Sequence, residues 1–207
     1  MAPLRKRLEL LESALGYAPA GARMVTPQLL SRPTPCVGWD LETLLDHVSD
    51  SIEVLHEVIA TAGADAGAAP LGHPGPEPDP AVRLRGQAAR LLGACAGAGP
   101  AERRVAIGDR QLTASIVAVT ETTHITAAIE ITVHGWDISF ACRIGRPVPP
   151  GLAAVLLASA PLLITPETRP GLFADPVRLP GPACPGDRLV AFLGRHPRLA
   201  AHTFGTA

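Results

Sequence analysis

Apolar side chains recur every three or four positions along most of the chain, which is the spacing typical of amphipathic helices. Leucines at this spacing begin near the N-terminus, and a longer stripe starts directly after Asp40, a residue type that caps helix N-termini. The pattern predicts helices over residues 3–17, 40–62 and 80–97.

The segment 115–143 differs from these helices because its apolar residues lie on nearly every side. A helix of this kind is buried at the centre of its domain. Beyond it, Pro149 and Pro150 suit the first turn of another helix. We therefore expect a helix over 149–163 and a last one around 186–194.

The predicted elements are helical with one exception. Residues 103–114 have the pattern of a short hairpin turning at Gly108 and Asp109. Because helices dominate elsewhere, we expect an all-α fold, a four-helix bundle over residues 1–148. Residues 149–207 are expected to form a small C-terminal extension packed on this bundle.

Composition narrows the class of ligand. The formal net charge is −1, so the chain lacks the basic field that attracts nucleic acid, and a small-molecule substrate is expected. The longest apolar run, residues 151–164, is interrupted by Pro161 and is too short to span a bilayer. The four cysteines form no CxxC pair. We expect a cytoplasmic protein with no membrane partner.

A narrow polar stripe runs along the predicted central helix. At about 100° per residue, four positions fall within about 40° of Glu130: Thr123, Thr126, His134 and Asp137. A Glu-x-x-x-His pair is also common as a hydrogen-bonded pair on helix surfaces. Here the flanking positions are apolar and the stripe lacks Lys and Arg, which favours a metal site over a solvated face.

Glu130 and His134 need a third ligand from another element to hold a divalent ion firmly. The candidates are His47, His56 and His124. His124 sits about 120° from Glu130 around the helix and should miss the site. His47 lies beside the apolar stripe of the second helix, and His56 is the weaker rival. A His, Glu, His set leaves one position open, the pattern of a catalytic zinc site.

Three separated segments resemble one known family. They are "TPCVGWDLETLLDHV" (34–48), "EITVHGWDISFACRIGRPV" (130–148) and "DRLVAFLGRHP" (187–197). Together, in this order, they resemble the actinobacterial branch of the DinB/YfiT-like superfamily, which includes the N-terminal domain of mycothiol-dependent maleylpyruvate isomerase. The resemblance implies a four-helix bundle with a divalent metal at its centre.

Carried over by motif, the resemblance implies that His47, Glu130 and His134 are the metal ligands. From its spacing, we expect Asp137 to lie behind them and to orient His134 or a metal-bound water. The metal implied is Zn²⁺, with Ni²⁺ as the alternative.

In the family enzyme an arginine of the third helix acts on the substrate. Arg83, Arg85 and Arg90 are the candidates here, and Arg85 lies nearest the apolar face. The resemblance implies an enzyme in which the metal activates the thiol of mycothiol toward a small electrophilic metabolite, and we expect an S-transferase or an isomerase-like catalyst.

Two other functions stay open. One is a metallohydrolase that cleaves an amide or ester through metal-bound hydroxide, with Asp137 as the general base. The other is a non-catalytic protein that binds a metal or a ligand. Bundles of this type often pair through exposed helix faces, so a homodimer is a further possibility that the sequence leaves open.

Overall fold

Helices make up the regular structure of the part of the chain that the structure describes. A computed structural model describes residues 4–62, 79–97 and 110–197. Within these ranges it contains no β-strand, and a short 3-10 turn spans Pro27–Leu29. The all-α prediction is confirmed. The α-helices are α1 Leu4–Ala22, α2 Leu41–Ala62, α3 Pro80–Gly97, α4 Arg110–Ala141, α5 Pro150–Leu163 and α6 Pro185–Phe192.

Helix α4 is the centre of the fold, packed against α1, α2 and α5. Every residue from 131 to 139 is buried, as the apolar residues on all sides of this helix predict. Its closest neighbour is α1, because Gly135 allows the two backbones to approach. A Cβ atom at Gly135 would lie only 2.7 Å from the Cα atom of Ala18.

The start of α2 is set by Asp40, as predicted. Its Oδ1 atom accepts hydrogen bonds from the Thr43 amide (2.9 Å) and the Thr43 hydroxyl (2.7 Å). Just before this cap, Pro33 and Asp40 form an isolated β-bridge that closes a turn. This turn carries Cys36 and Trp39, so both are held next to the N-terminal end of α2.

Helices α5 and α6 pack against each other, and α5 also contacts α4 and α1. Pro150 occupies the first position of α5, as expected from its fixed φ angle. At the other end, α6 stops at Phe192, and the chain then reverses through Gly194, whose φ is +83°. The reversal directs the residues after α6 back toward α4.

Two boundary predictions were wrong. Helix α1 continues to Ala22 although Pro19 lies inside it, because Ala18 and Gly21 pack closely against α4. Residues 110–114, expected in the second half of a hairpin, form the beginning of α4. The rest of that predicted hairpin lies outside the described residues.

None of the helices in the described ranges has the length and apolar character to cross a membrane.

Candidate metal centre

Three side chains of the ligand type meet where α2 crosses α4. The Oε2 atom of Glu130 lies 3.7 Å from Nε2 of His47 and 3.4 Å from Nε2 of His134. One ligand atom from each of the three residues can be chosen so that all lie within 4.8 Å of one another. Glu130 and His134 meet because they are one helical turn apart, whereas His47 is brought in by the packing of α2.

The spacing of these atoms fits a tetrahedral ion. Two ligand atoms that each lie about 2.1 Å from a tetrahedral metal are separated by about 3.4 Å. The separations of 3.4 and 3.7 Å from Glu130 are close to this value. Two imidazoles and a carboxylate are also a donor set that zinc accepts. The residues therefore fit a divalent metal of this class.

The other ring nitrogen of His134 faces a carboxylate. Its Nδ1 lies 3.2 Å from Oδ2 of Asp137. Asp137 is fully buried and receives two hydrogen bonds from Arg195, one from Nη2 (2.8 Å) and one from Nε (3.2 Å). Because a carboxylate only accepts hydrogen bonds, Nδ1 of His134 carries a proton that it donates to Asp137, while Nε2 faces Glu130.

Cys36 completes this inner layer. Its thiol donates to Oδ2 of Asp137 (3.3 Å) and accepts a hydrogen bond from Nη2 of Arg195 (3.3 Å). Its sulfur lies 3.8 Å from Nδ1 of His134. The structure thus places Cys36 in contact with the cluster.

The electrostatics of the inner layer favour charged forms despite burial. Burial lowers the pKa of His134, but hydrogen bonds with Asp137, Cys36 and Glu130 raise it well above its ordinary value of 6.5. Burial raises the pKa of Asp137, but the hydrogen bond with His134 and the charge of Arg195 bring it below its ordinary value. Without metal, the carboxylates on both sides of the His134 ring thus favour its protonated form.

On the more exposed side of the cluster, the pKa values of Glu130 and His47 are both lowered. Burial raises the pKa of Glu130, yet its contacts with both histidines bring the value below the ordinary one. Burial, together with the nearby His134, lowers the pKa of His47. His47 is therefore inclined to be neutral, the form in which imidazole binds metals.

Cys36, His134 and Asp137 form a second group with suitable ligand atoms. Both groups include His134, whose Nε2 faces Glu130 in the first group and whose Nδ1 faces Cys36 and Asp137 in the second. The guanidinium of Arg195 already contacts Cys36 and Asp137, and its positive charge opposes a cation there. The group formed by His47, Glu130 and His134 is therefore the better metal site.

Access to the cluster is from the side of His47. Its side chain is 37% exposed and that of Glu130 is 29% exposed, whereas His134 is nearly buried. Trp39 forms a wall there, with its ring centroid 4.7 Å from that of His47. Val37, beside it on the same turn, is almost fully exposed. A ligand would therefore reach the cluster past Trp39.

Arg83 and Arg85 of α3 contact groups outside the ligand cluster. Arg85 donates a hydrogen bond to the backbone carbonyl of Ala22, at the end of α1 (3.2 Å). Arg83 forms an ion pair with Asp46, the neighbour of His47 on α2, and Arg90 is exposed. The predicted role of Arg85 in substrate binding stays a prediction.

The remaining described residues singled out in the sequence are not members of the two ligand groups. Thr126, on the polar stripe, is exposed, and Thr123 lies outside the described side chains. His56 on α2 and the buried His124 on α4 do not belong to either ligand group. Sequence reasoning missed Arg195, although the motif that contains it, "DRLVAFLGRHP", contributed to the family resemblance.

A separate surface cavity of about 630 Å³ lies between α5 and α6. Its lining is mostly apolar, as at Leu157, Val177 and Phe192, with Arg188 as the one charged side chain. None of the lining residues belongs to the histidine and carboxylate cluster. The chemistry of the described residues is therefore concentrated at the crossing of α2 and α4.

Comparison with known proteins supports the family expected from the motifs. Residues 12–139 match the family described as the mycothiol maleylpyruvate isomerase N-terminal domain. The chain belongs to this DinB-like family. The match includes all three candidate ligands and Asp137, and it ends before α5 begins. Arg195 lies outside it.

Two uncharacterized proteins of Mycobacterium tuberculosis are also similar to the chain: Rv0738 of strain H37Rv and MT0763 of strain CDC 1551. Each is 30% identical over 174 residues, which cover 82% of this chain and 86% of the relative. No solved structure matches the chain significantly.

Proposed function

We propose that the protein binds a divalent metal ion through His47, Glu130 and His134 and activates a mycothiol-type thiol toward a small electrophilic metabolite. The observation that carries the proposal is the convergence of the three ligand atoms within 4.8 Å. Zinc is the expected ion, with nickel as the alternative. Membership in a family named for a mycothiol-dependent isomerase domain supports the choice of thiol.

When bound, such an ion lowers the pKa of a thiol and holds it as a thiolate. The protein's own residues supply the setting. Three ligands would leave one position of a tetrahedral ion open to a thiol, and His47 and Glu130 are the partly exposed members of the cluster. Trp39 provides an aromatic wall on the same side. The cofactor thiol is the nucleophile, so no protein nucleophile is required.

The position of Asp137 argues against the hydrolase alternative. A hydrolase would need a general base within hydrogen-bond reach of the attacking water. Asp137 was the expected base, but it is fully buried behind His134 and holds two hydrogen bonds from Arg195. Its oxygens are directed toward the protein interior, so it orients His134 and does not face the open side.

The first experiment measures metal content by elemental analysis in untagged wild-type protein, His134→Ala and His56→Ala. We expect about one zinc or nickel per chain in the wild type and in His56→Ala, and loss of the metal in His134→Ala. His56 is a suitable control because it lies on α2 outside the cluster. A wild type that takes up no added metal would overturn the proposal.

The second experiment tests the thiol. Metal-loaded protein is incubated with a haloaromatic electrophile, with and without mycothiol, and conjugate and hydrolysis product are both quantified. Thiol-dependent conjugate formation that disappears in His134→Ala supports the proposal. Turnover without thiol would favour the hydrolase, and absence of turnover with any thiol and electrophile tested would favour a binding protein.

A further inference from the structure

The turn that ends α6 brings Arg195 to the cluster. The amide of Gly194 donates to the carbonyl of Ala191 (3.0 Å), and the amide of Arg195 donates to the carbonyl of Val190 (2.9 Å). This pair of bonds is the Schellman motif, which requires the left-handed backbone that Gly194 adopts. A Cβ atom at Gly194 would also lie 2.7 Å from the carbonyl oxygen of Ala174. The turn fixes where the Arg195 side chain begins.

From this turn, the guanidinium reaches the buried Asp137. Two of its nitrogens contact the two carboxylate oxygens, a two-point geometry that sets the plane of the carboxylate as well as its distance. A third nitrogen donates to the carbonyl of Leu193 (2.8 Å). Arg195 is only 7% exposed and Asp137 is fully buried, so neither group has water as a substitute partner.

We propose that Arg195 is a positioning residue of the metal centre, which holds the Asp137 carboxylate so that His134 presents Nε2 to the ion. Asp137 accepts the Nδ1 proton of His134, and an imidazole whose far nitrogen is held in this way cannot turn about its side-chain bonds. The inference rests on the proposed metal site. It makes the segment after α5 part of that site, although the family match ends at residue 139.

A positioning role and a purely electrostatic role for Arg195 predict opposite changes in metal affinity when Arg195 is removed. If Arg195 acted only as a nearby positive charge, its removal would strengthen the binding of a cation. If it positions Asp137 and His134, its removal weakens binding, because the buried carboxylate loses its fixed orientation. Outer partners of metal ligands typically contribute about 10–100-fold in affinity. The sign of the change therefore separates the two roles.

The test compares wild type, Arg195→Gln, Arg195→Lys and Arg169→Gln. Each protein is stripped of metal, its folding is checked by circular dichroism, and cobalt(II) affinity is measured by competition with a chelator. The visible absorption of bound cobalt reports its coordination. We expect Arg195→Gln to lose about 10–100-fold in affinity with an altered spectrum, and Arg195→Lys to recover part of the loss, because lysine keeps the charge without the two-point geometry.

Arg169 is the matched control. It is a buried arginine of the same C-terminal segment, but it donates to the carbonyls of Ala174 and Phe192 and packs on the Phe192 ring. Arg169→Gln should lower thermal stability and leave the cobalt affinity and spectrum of the folded protein unchanged.

Three results would overturn the inference. Wild type that binds no cobalt would remove the proposed metal site and this inference with it. Wild type that binds cobalt while Arg195→Gln binds it equally well or better, with the same spectrum, would leave the metal site intact and exclude the positioning role. If Arg195→Gln does not fold, Arg195→Lys decides, and an unchanged affinity and spectrum in that variant would exclude the role.

Discussion

At the scale of single residues, the two ring nitrogens of His134 have different tasks. Nδ1 faces Asp137, and Nε2 faces Glu130 on the open side. The helical spacing of the three residues places them on one face, so their proximity follows from the sequence. The structure adds that Arg195 holds the Asp137 carboxylate that faces Nδ1, while Nε2 faces Glu130.

The raised pKa of His134 predicts how the metal-free protein responds to pH. A group whose pKa is higher in the folded state contributes stability below its ordinary value, here 6.5, and loses it as pH rises through the folded value. The lowered pKa of His47 affects stability only below pH 6.5, where it makes stability rise with pH. Glu130 and Asp137 act at acidic pH, where stability falls as they are protonated. Above pH 6.5 the effect of His134 therefore dominates within the cluster.

We expect the melting temperature of chelator-treated wild type to fall between pH 6.5 and about 8, a range below the ordinary titration of thiols. The matched variant is His134→Gln, which should show a flatter profile over the same range. Equal slopes in the two proteins, measured by differential scanning calorimetry, would contradict the assignment of the effect to His134.

At the scale of elements, α4 depends on a close approach to α1. Only the absence of a side chain at Gly135 allows Ala18 to lie against it. The apolar residues on all sides of α4 predict its burial from the sequence. They do not predict which neighbour comes closest, because that depends on how α1 crosses it.

Gly135→Ala should destabilise the protein by about 1–3 kcal/mol, since the new methyl group would overlap the backbone of α1. Gly93→Ala is the control, because no atom lies within 4 Å of a Cβ built at this position on α3. The control should be neutral or stabilised by up to about 1 kcal/mol, the helix-propensity advantage of alanine. Denaturant unfolding measures both, and equal effects of the two substitutions would contradict the packing argument.

Both wrong element boundaries lie near residues that usually interrupt helices. Pro19 and the turn-like residues near position 108 are local signals, and local signals end helices in isolated peptides. In the protein, α1 is supported beyond Pro19 by its contacts with α4, and residues 110–114 are part of the longest helix. For α1, tertiary packing outweighed local preference.

At the scale of the whole molecule, metal binding and folding are linked. The three candidate ligands come from two helices, so an ion bound by all three stabilises the folded chain over the unfolded one. At a free zinc concentration about 100 times the dissociation constant, the gain is about 2.7 kcal/mol. For a chain of this size that corresponds to a rise in melting temperature of roughly 5–10 °C.

We expect this rise in wild type and not in His47→Ala, measured by thermal unfolding with and without added zinc. The variant keeps the other histidines and cysteines, which bind zinc in the unfolded chain, so it corrects for that competing effect. An equal rise in the variant would mean that zinc binds elsewhere or without His47.

The sequence by itself determined the helical class, the buried character of α4, the cap at Asp40 and the shared face of Glu130, His134 and Asp137. These features depend on spacing within one helix or on a cap a few residues away, which the chain carries locally. It also favoured His47 over His56, through its place beside the apolar stripe of α2.

Only the tertiary structure decided what surrounds that face. Arg195 is 58 residues from Asp137 along the chain, and Cys36 is 101 residues from it. No local pattern specifies such contacts, because they depend on where the turn after α6 and the turn before α2 come to lie relative to α4. The assignment of His134 Nδ1 to Asp137, and of Asp137 to Arg195, therefore comes from packing, which brings distant charged groups together out of water.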